Sequence, residues 1–201
     1  AERIHVVDLN GAVAGKPFHQ SLIKEMVQSI QIPIEVGGGI RDFDTIENYL
    51  SFGVQWVILG TAAFNDRALI EKACHRFPER VILGIDAKRG KVAIQGWKEV
   101  VSLDAIDLAK EVEGIGLSAI IFTDIEKDGM STGLNYGSTQ KLSRSTSIPV
   151  IASGGVSRIE DIEHLLDLEP DGVVGVIVGR ALYTGTVGLE EAIRLTRRGI
   201  T

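Results

Sequence analysis

Short apolar runs rich in Val, Ile and Leu, bounded by Gly, Asp or Pro, alternate along the chain with longer segments of helical period. The runs are Ile4 to Leu9, Ile34 to Val36, Trp56 to Leu59, Val81 to Ile85, Ala119 to Phe122, Val150 to Ala152 and Val173 to Val178. They predict seven strands. The runs are continuous and do not alternate with polar residues, as expected of strands covered on both faces, and the segments between them read as amphipathic helices. In one of these, Asp44 to Leu50, Ile46 and Leu50 fall one turn apart on the same face; another spans Arg67 to Arg76. Repeated β-α units imply a parallel sheet, either doubly wound or closed as a barrel.

An internal repeat decides between these. Ile32-Pro33-Ile34-Glu35-Val36-Gly37-Gly38-Gly39-Ile40 aligns with Ile148-Pro149-Val150-Ile151-Ala152-Ser153-Gly154-Gly155-Val156, so that Pro33 and Pro149 stand 116 positions apart. Ile46 and Leu50 match Ile162 and Leu166 at the same offset, and Ile4 to Leu9 matches Ile120 to Ile125, placing Asp8 over Asp124. Ile58-Leu59-Gly60-Thr61-Ala62 matches Ile177-Val178-Gly179-Arg180-Ala181 at an offset of 119. A half-barrel repeated once makes an eight-stranded (β/α)8 barrel. The strand Val81 to Ile85 has no counterpart 116 residues earlier, so the expectation is a single α/β barrel domain over residues 1–201 carrying strands two to eight, with the first β-α unit missing. Its two open strand edges would invite self-association.

Composition changes this picture little. The chain has 201 residues, 44% hydrophobic and 24% charged, enough for one well-buried core. A net charge of -6 without a dense Lys/Arg run argues against a nucleic-acid partner. The single cysteine, Cys74, cannot form an internal disulfide, and no apolar run reaches the length of a membrane span. These features point to a soluble, cytoplasmic protein. Cys74 reads as a small packed thiol.

The candidate chemistry stands at the C-terminal ends of the strands, where barrel active sites are built. Gly37-Gly38-Gly39 and Gly60-Thr61 in the first half, with Ser153-Gly154-Gly155 and Gly179-Arg180 in the second, have the form of phosphate cradles: glycine lets backbone approach an anion, and the next helix start points amides at it. Glycines at strand ends are often only turns, but two symmetric copies predict a ligand with a phosphate at each end. Between the cradles lie Asp8, Asp86, Asp124 and Asp128. Asp86, delivered by an apolar strand, is either an acid or a loop-solvating cap; Asp8 reads as structural. Asp124 and Asp128 compete for one role, and Lys127-Asp128-Gly129 also has the form of a turn. Thr123 ends a strand and either binds a ligand or is an ordinary strand residue. Arg41 could pair with a phosphate or carboxamide, or be a solvated arginine at a helix start. Trp97 ends Gly90 to Trp97, a glycine-bounded, hairpin-like excursion, and could stack on a flat heterocycle or pin the loop to the rim. Trp56 reads as core or helix-facing packing. His5, His19, His75 and His164 form no metal-like pattern.

Taken together, Val7 to Ala12, Val36 to Arg41, Leu59 to Ala63, Gly96-Trp97, Thr123 to Gly129, Ala152 to Val156 and Val178 to Leu182 resemble the phosphoribosylformimino-5-aminoimidazole carboxamide ribotide isomerases of histidine biosynthesis. The resemblance covers essentially all 201 residues in family order. The related cyclase subunit of imidazole glycerol phosphate synthase shares barrel and duplication but usually lacks the equivalents of Arg41 and Trp97. The resemblance implies a cofactor-free Amadori rearrangement of a bisphosphorylated substrate, without metal. It implies that Asp86 protonates the ribose ring oxygen, that Thr123 and Asp128 assist at the sugar and that Trp97 stacks on the heterocycle. Gly38, Gly39, Arg41, Gly60, Thr61, Ser153, Gly154, Gly155, Gly179 and Arg180 would hold the rest of the ligand, chiefly its phosphates. The family's catalytic base ends the first strand, which these residues do not include. Two further readings are therefore a phosphosugar-binding fragment with impaired turnover and a self-association module.

Overall fold

The structure is a computed structural model that describes residues 1–60, 66–130 and 133–197. Among the described residues there are nine strands: β1 (Ile4–Val7), β2 (Ile34–Gly37), β3 (Trp56–Leu59), β4 (Val81–Lys88), β5 (Lys91–Ile94), β6 (Glu99–Asp104), β7 (Ala119–Asp124), β8 (Val150–Ser153) and β9 (Val173–Val176). The helices are α1 (Leu9–Ala14), α2 (Gln20–Ser29), α3 (Phe43–Ser51), α4 (Arg67–Arg76), α5 (Ala105–Glu111), α6 (Tyr136–Ser143), α7 (Ile159–Leu166), α8 (Arg180–Thr184) and α9 (Leu189–Thr196). Seven strands form one parallel sheet in the order β1-β2-β3-β4-β7-β8-β9, the predicted partial barrel. The excursion after β4 is an antiparallel β5–β6 hairpin built on the extended end of β4.

The sequence repeat is a repeat of register. Ile4 pairs with Ile34 in the first half and Ile120 with Val150 in the second, both at the offset of 116. Val36 pairs with Val57, and Ala152 with Val176, at offsets of 116 and 119. A register shift between Val150 and Ile151 disturbs the start of the β8–β9 ladder. Four predicted strands stop short of their observed ends, β2, β4, β7 and β8 continuing to Gly37, Lys88, Asp124 and Ser153, and two overrun them. The first run stops at Val7, because Asp8 turns the chain and caps α1, leaving Leu9 71% exposed. The last stops at Val176, short of the expected Val178.

Side chains alternate along each strand between two apolar layers, which explains why the runs looked continuous. Val57, Leu59, Val81, Leu83, Ile85, Ile120, Phe122 and Val150 face the helices in the larger core cluster. The intervening Ile58, Ile82, Ala119, Ile121 and Ile151 form a separate cluster inside the barrel, joined by Trp56 and Ile177. Trp56 thus belongs to the barrel interior, with the Arg3 guanidinium 4.0 Å above its ring. Among the described residues the sheet ends at β1 and β9, and no ladder joins them. Val7, Leu9, Val13 and Phe18 at one end and Val174 and Tyr183 at the other are exposed. No helix of the described residues is long and apolar enough to cross a membrane.

Candidate active site

The inward stripe of each strand turns polar at its C-terminal end. On β4 it runs Ile82, Gly84, Asp86; on β7, Ala119, Ile121, Thr123; on β8, Ile151, Ser153. Because the strands are parallel, these ends lie on one side of the sheet, and the ladders put Asp86 beside Thr123 and Thr123 beside Ser153. The periodicity that buries the interior layer therefore delivers three polar groups side by side.

Asp86 is the focus. The Trp97 Nε1–H donates to its Oδ2 at 2.8 Å, across the turn of the β5–β6 hairpin. Burial pushes its carboxyl above the ordinary range; hydrogen bonds from Trp97 and Thr123 work the other way, the Asp128 charge adds to the rise and His5 opposes it. Desolvation thus moves this carboxyl toward the protonated form that an acid catalyst needs.

The structure separates the remaining carboxylates. Asp8 is buried and accepts backbone hydrogen bonds from Gly11, Phe18 and His19 at 2.7–2.8 Å, which lower its pKa against the opposing effect of burial. Its structural reading holds. Asp124 is likewise spent on structure, taking the Glu126 amide at 2.9 Å and the Asn135 side-chain amide at 2.6 Å. Asp128 sits one turn on, its amide bonded to the Asp124 carbonyl at 3.0 Å, and its charge acts on Asp86. Of the two competitors, Asp128 is the one brought to the site.

Both glycine turns have the same backbone. Gly38 and Gly39 have φ of 100° and 79°, and Gly154 and Gly155 of 85° and 101°, a left-handed region that favours glycine. A Cβ on Gly155 would lie 2.5 Å from the Gly133 carbonyl oxygen, and one on Gly39 2.7 Å from that of Lys16. These glycines are therefore required by close loop packing as well as by any ligand. The expected help from the following helix starts is smaller than the sequence suggested: Asp42 already takes the Thr45 amide at 2.7 Å, and Asp161 the Ser157 and Arg158 amides at 2.8 and 3.1 Å. Those amides are occupied by the chain's own carboxylates.

Gly60 follows β3 at an exposed position, and Thr61 lies outside the described residues. Gly179 precedes α8, and nothing among the described residues lies within 4 Å of a Cβ built there. Arg180 reaches across to donate to the Gly129 carbonyl at 2.5 Å, tying the end of β9 to the loop that carries Asp128. Arg41 is exposed, its guanidinium packed against Gly15 at the end of α1. Sequence reasoning missed His5. It alternates inward on β1, bonds through Nδ1 to the buried Glu35 at 2.8 Å and acts electrostatically on Asp86. The signal was its register with Glu35, a charged residue inside an apolar strand. Among the described residues, no group of three or more His, Cys, Asp or Glu is placed to hold a metal ion.

A family model described as "Histidine biosynthesis protein" matches residues 1–188. A protein of Syntrophus aciditrophicus is 53% identical over 197 residues, covering 98% of this chain and 81% of its own length. One of Geobacter sulfurreducens is 54% identical over 199 residues, covering 99% and 82%. Both are named 1-(5-phosphoribosyl)-5-((5-phosphoribosylamino)methylideneamino)imidazole-4-carboxamide isomerase. With a family match across nearly the whole chain and relatives more than half identical, the protein belongs to the histidine biosynthesis protein family.

Proposed function

We propose that this protein is an aldose–ketose isomerase of histidine biosynthesis, carrying out the Amadori rearrangement of N'-((5'-phosphoribosyl)formimino)-5-aminoimidazole-4-carboxamide ribonucleotide. The single observation that carries the reading is a half-buried acid, Asp86, in line with Thr123 and Ser153 in a parallel sheet whose two glycine turns repeat at one offset. Two turns of one shape suit a ligand with phosphates at both ends, and holding both ends fixes the sugar over the acid.

In this reading Asp86 gives a proton to the ribose ring oxygen, the C1–O bond breaks and the ring opens to an iminium. Loss of the C2 proton to a base then gives the enolamine, which tautomerises to the aminoketose; electrons and protons balance without a redox partner. Thr123 orients Asp86, and Asp128 assists at the sugar. The amides of Gly38, Gly39, Gly154 and Gly155, with Gly60, Thr61, Ser153 and Gly179, take the phosphates. Arg180 holds the second of these loops in place and Arg41 the first. Trp97 stacks on the imidazole carboxamide. A cytoplasmic setting suits a small phosphorylated substrate.

A second reading, phosphosugar binding with turnover reduced by orders of magnitude, is favoured by the lack of a ladder between β1 and β9 among the described residues. The free edges of those strands also favour self-association, measurable by sedimentation as concentration-dependent mass. The deciding experiment supplies the bisphosphorylated aminoaldose, follows the aminoketose by chromatography and measures ligand binding by calorimetry. Turnover that Asp86→Asn abolishes while binding persists supports the isomerase. Binding without turnover supports the second reading, and absence of both sinks the two together.

A further inference from the structure

The bond between Trp97 and Asp86 is not one the proposed reaction needs. An indole N–H only donates, so the Asp86 oxygen that receives it is an acceptor, and Thr123 acts on the carboxyl in the same direction. This bond favours the carboxylate and so opposes the burial that raises the Asp86 pKa, whereas an acid must offer a proton. The groups facing Asp86 are Trp97 from the hairpin, Thr123 from β7, Asp128 from the turn beyond it and His5 from β1.

Of these, Trp97 is the one on an exposed turn, between β5 and β6. Gln95, Gly96 and Trp97 have successive φ values of 55°, 64° and 70°, a left-handed run that includes two non-glycine residues. The Trp97 side of the hairpin faces solvent: the residue is 43% exposed, and nothing among the described residues lies within 4 Å of a Cβ built on Gly96. Thr123, by contrast, is buried inside a strand paired on both sides.

We infer that Trp97 is a latch on Asp86: its indole keeps the carboxylate an acceptor until a ligand's flat ring draws the indole away, and Asp86 then takes from solvent the proton it later donates. The inference rests on the isomerase reading for the ligand's identity and adds that ligand binding loads the acid. Once the indole leaves, burial and the Asp128 charge, which both favour protonation, are opposed only by Thr123 and His5. Binding should therefore take up protons.

The chain has two tryptophans, so its 15N-labelled form gives two indole resonances, and the one lost in Trp97→Phe is assigned to Trp97. The expected result is that this resonance moves upfield in Asp86→Ala and, in the unaltered protein, titrates with a midpoint above the ordinary carboxylate range. If neither occurs, the latch is overturned; should Asp86→Ala fail to fold, the titration decides alone. Calorimetry with 5-aminoimidazole-4-carboxamide ribonucleotide in two buffers of different ionisation heat should show net proton uptake that Trp97→Phe largely removes. Equal uptake in both proteins overturns the inference. None of these readouts needs turnover, so an inactive chain with a working latch would count against the isomerase reading alone.

Discussion

Asp86 and Thr123 are directly opposed across the β4–β7 ladder, each the last inward residue of an apolar stripe. The pairing places a carboxylate where the sheet interior gives way to the site, at a cost in stability. Because burial raises the Asp86 pKa, the folded chain binds this proton more tightly than the unfolded chain. Stability contributed by the group is then greatest below the ordinary carboxylate value and falls as pH rises from there through the folded value. Asp86→Asn, which keeps the shape without the charge, should raise Tm by about 2–4 °C at pH 7.5 while abolishing turnover. The gain should shrink toward pH 3.5. Thermal melts across this range check it, and a variant less stable at pH 7.5 would refute it.

Glu35 has the opposite sign. Burial works against its charge, but hydrogen bonds and charges from His5 and Arg3 outweigh it and hold the carboxyl below its usual value. Its contribution is fully present above the ordinary carboxylate value and is lost as pH falls through the lower, folded value. Glu35→Ala should cost about 2–3 kcal/mol at pH 7, less than breaking a fully buried pair, because Arg3 and His5 both reach solvent. Urea denaturation at pH 7 and pH 3 should show a smaller loss at the lower pH. An unchanged midpoint at pH 7 would mean the pair contributes nothing net.

The glycines make a graded test. Gly155→Ala adds a Cβ 2.5 Å from a backbone oxygen at a φ of 101°, so steric overlap and backbone strain combine, and the expected cost is about 3 kcal/mol or more. Gly96→Ala has a φ of 64° but open space around it, and should cost about 1 kcal/mol. Equal losses in chemical denaturation would show that loop contact around Gly155 is not what demands glycine there.

Much of this was legible before any coordinates. The repeat at 116 positions is a repeat of strand register, and register fixes which residues face inward, so Asp86 and Thr123 could be placed from strand patterning. The competition between Asp124 and Asp128 could not be resolved that way, because it turns on Asn135, eleven residues further along, reaching back to occupy Asp124. His5 was invisible for a similar reason: its meaning depends on Glu35, thirty positions away in sequence and its neighbour only across a ladder. Helix starts looked free to bind anions, since a sequence does not show that Asp42 and Asp161 fold back onto those amides.

Tyr49 offers a change that should improve the fold. Its side chain on α3 is fully buried, and among the described residues its hydroxyl has no hydrogen-bond partner; burial, with the nearby Asp8 charge adding, pushes its pKa up to about 12. The ring packs edge-on to Phe52 at 6.3 Å between centroids and contributes to the core whether or not the hydroxyl is there. A buried hydroxyl without a partner loses its bonds to water and gains none in return. Tyr49→Phe keeps the ring and removes the orphan, so stability should rise by about 1 kcal/mol with binding and turnover unchanged. Urea titration measures the difference: a loss of 1 kcal/mol instead would mean the hydroxyl is bonded in solution.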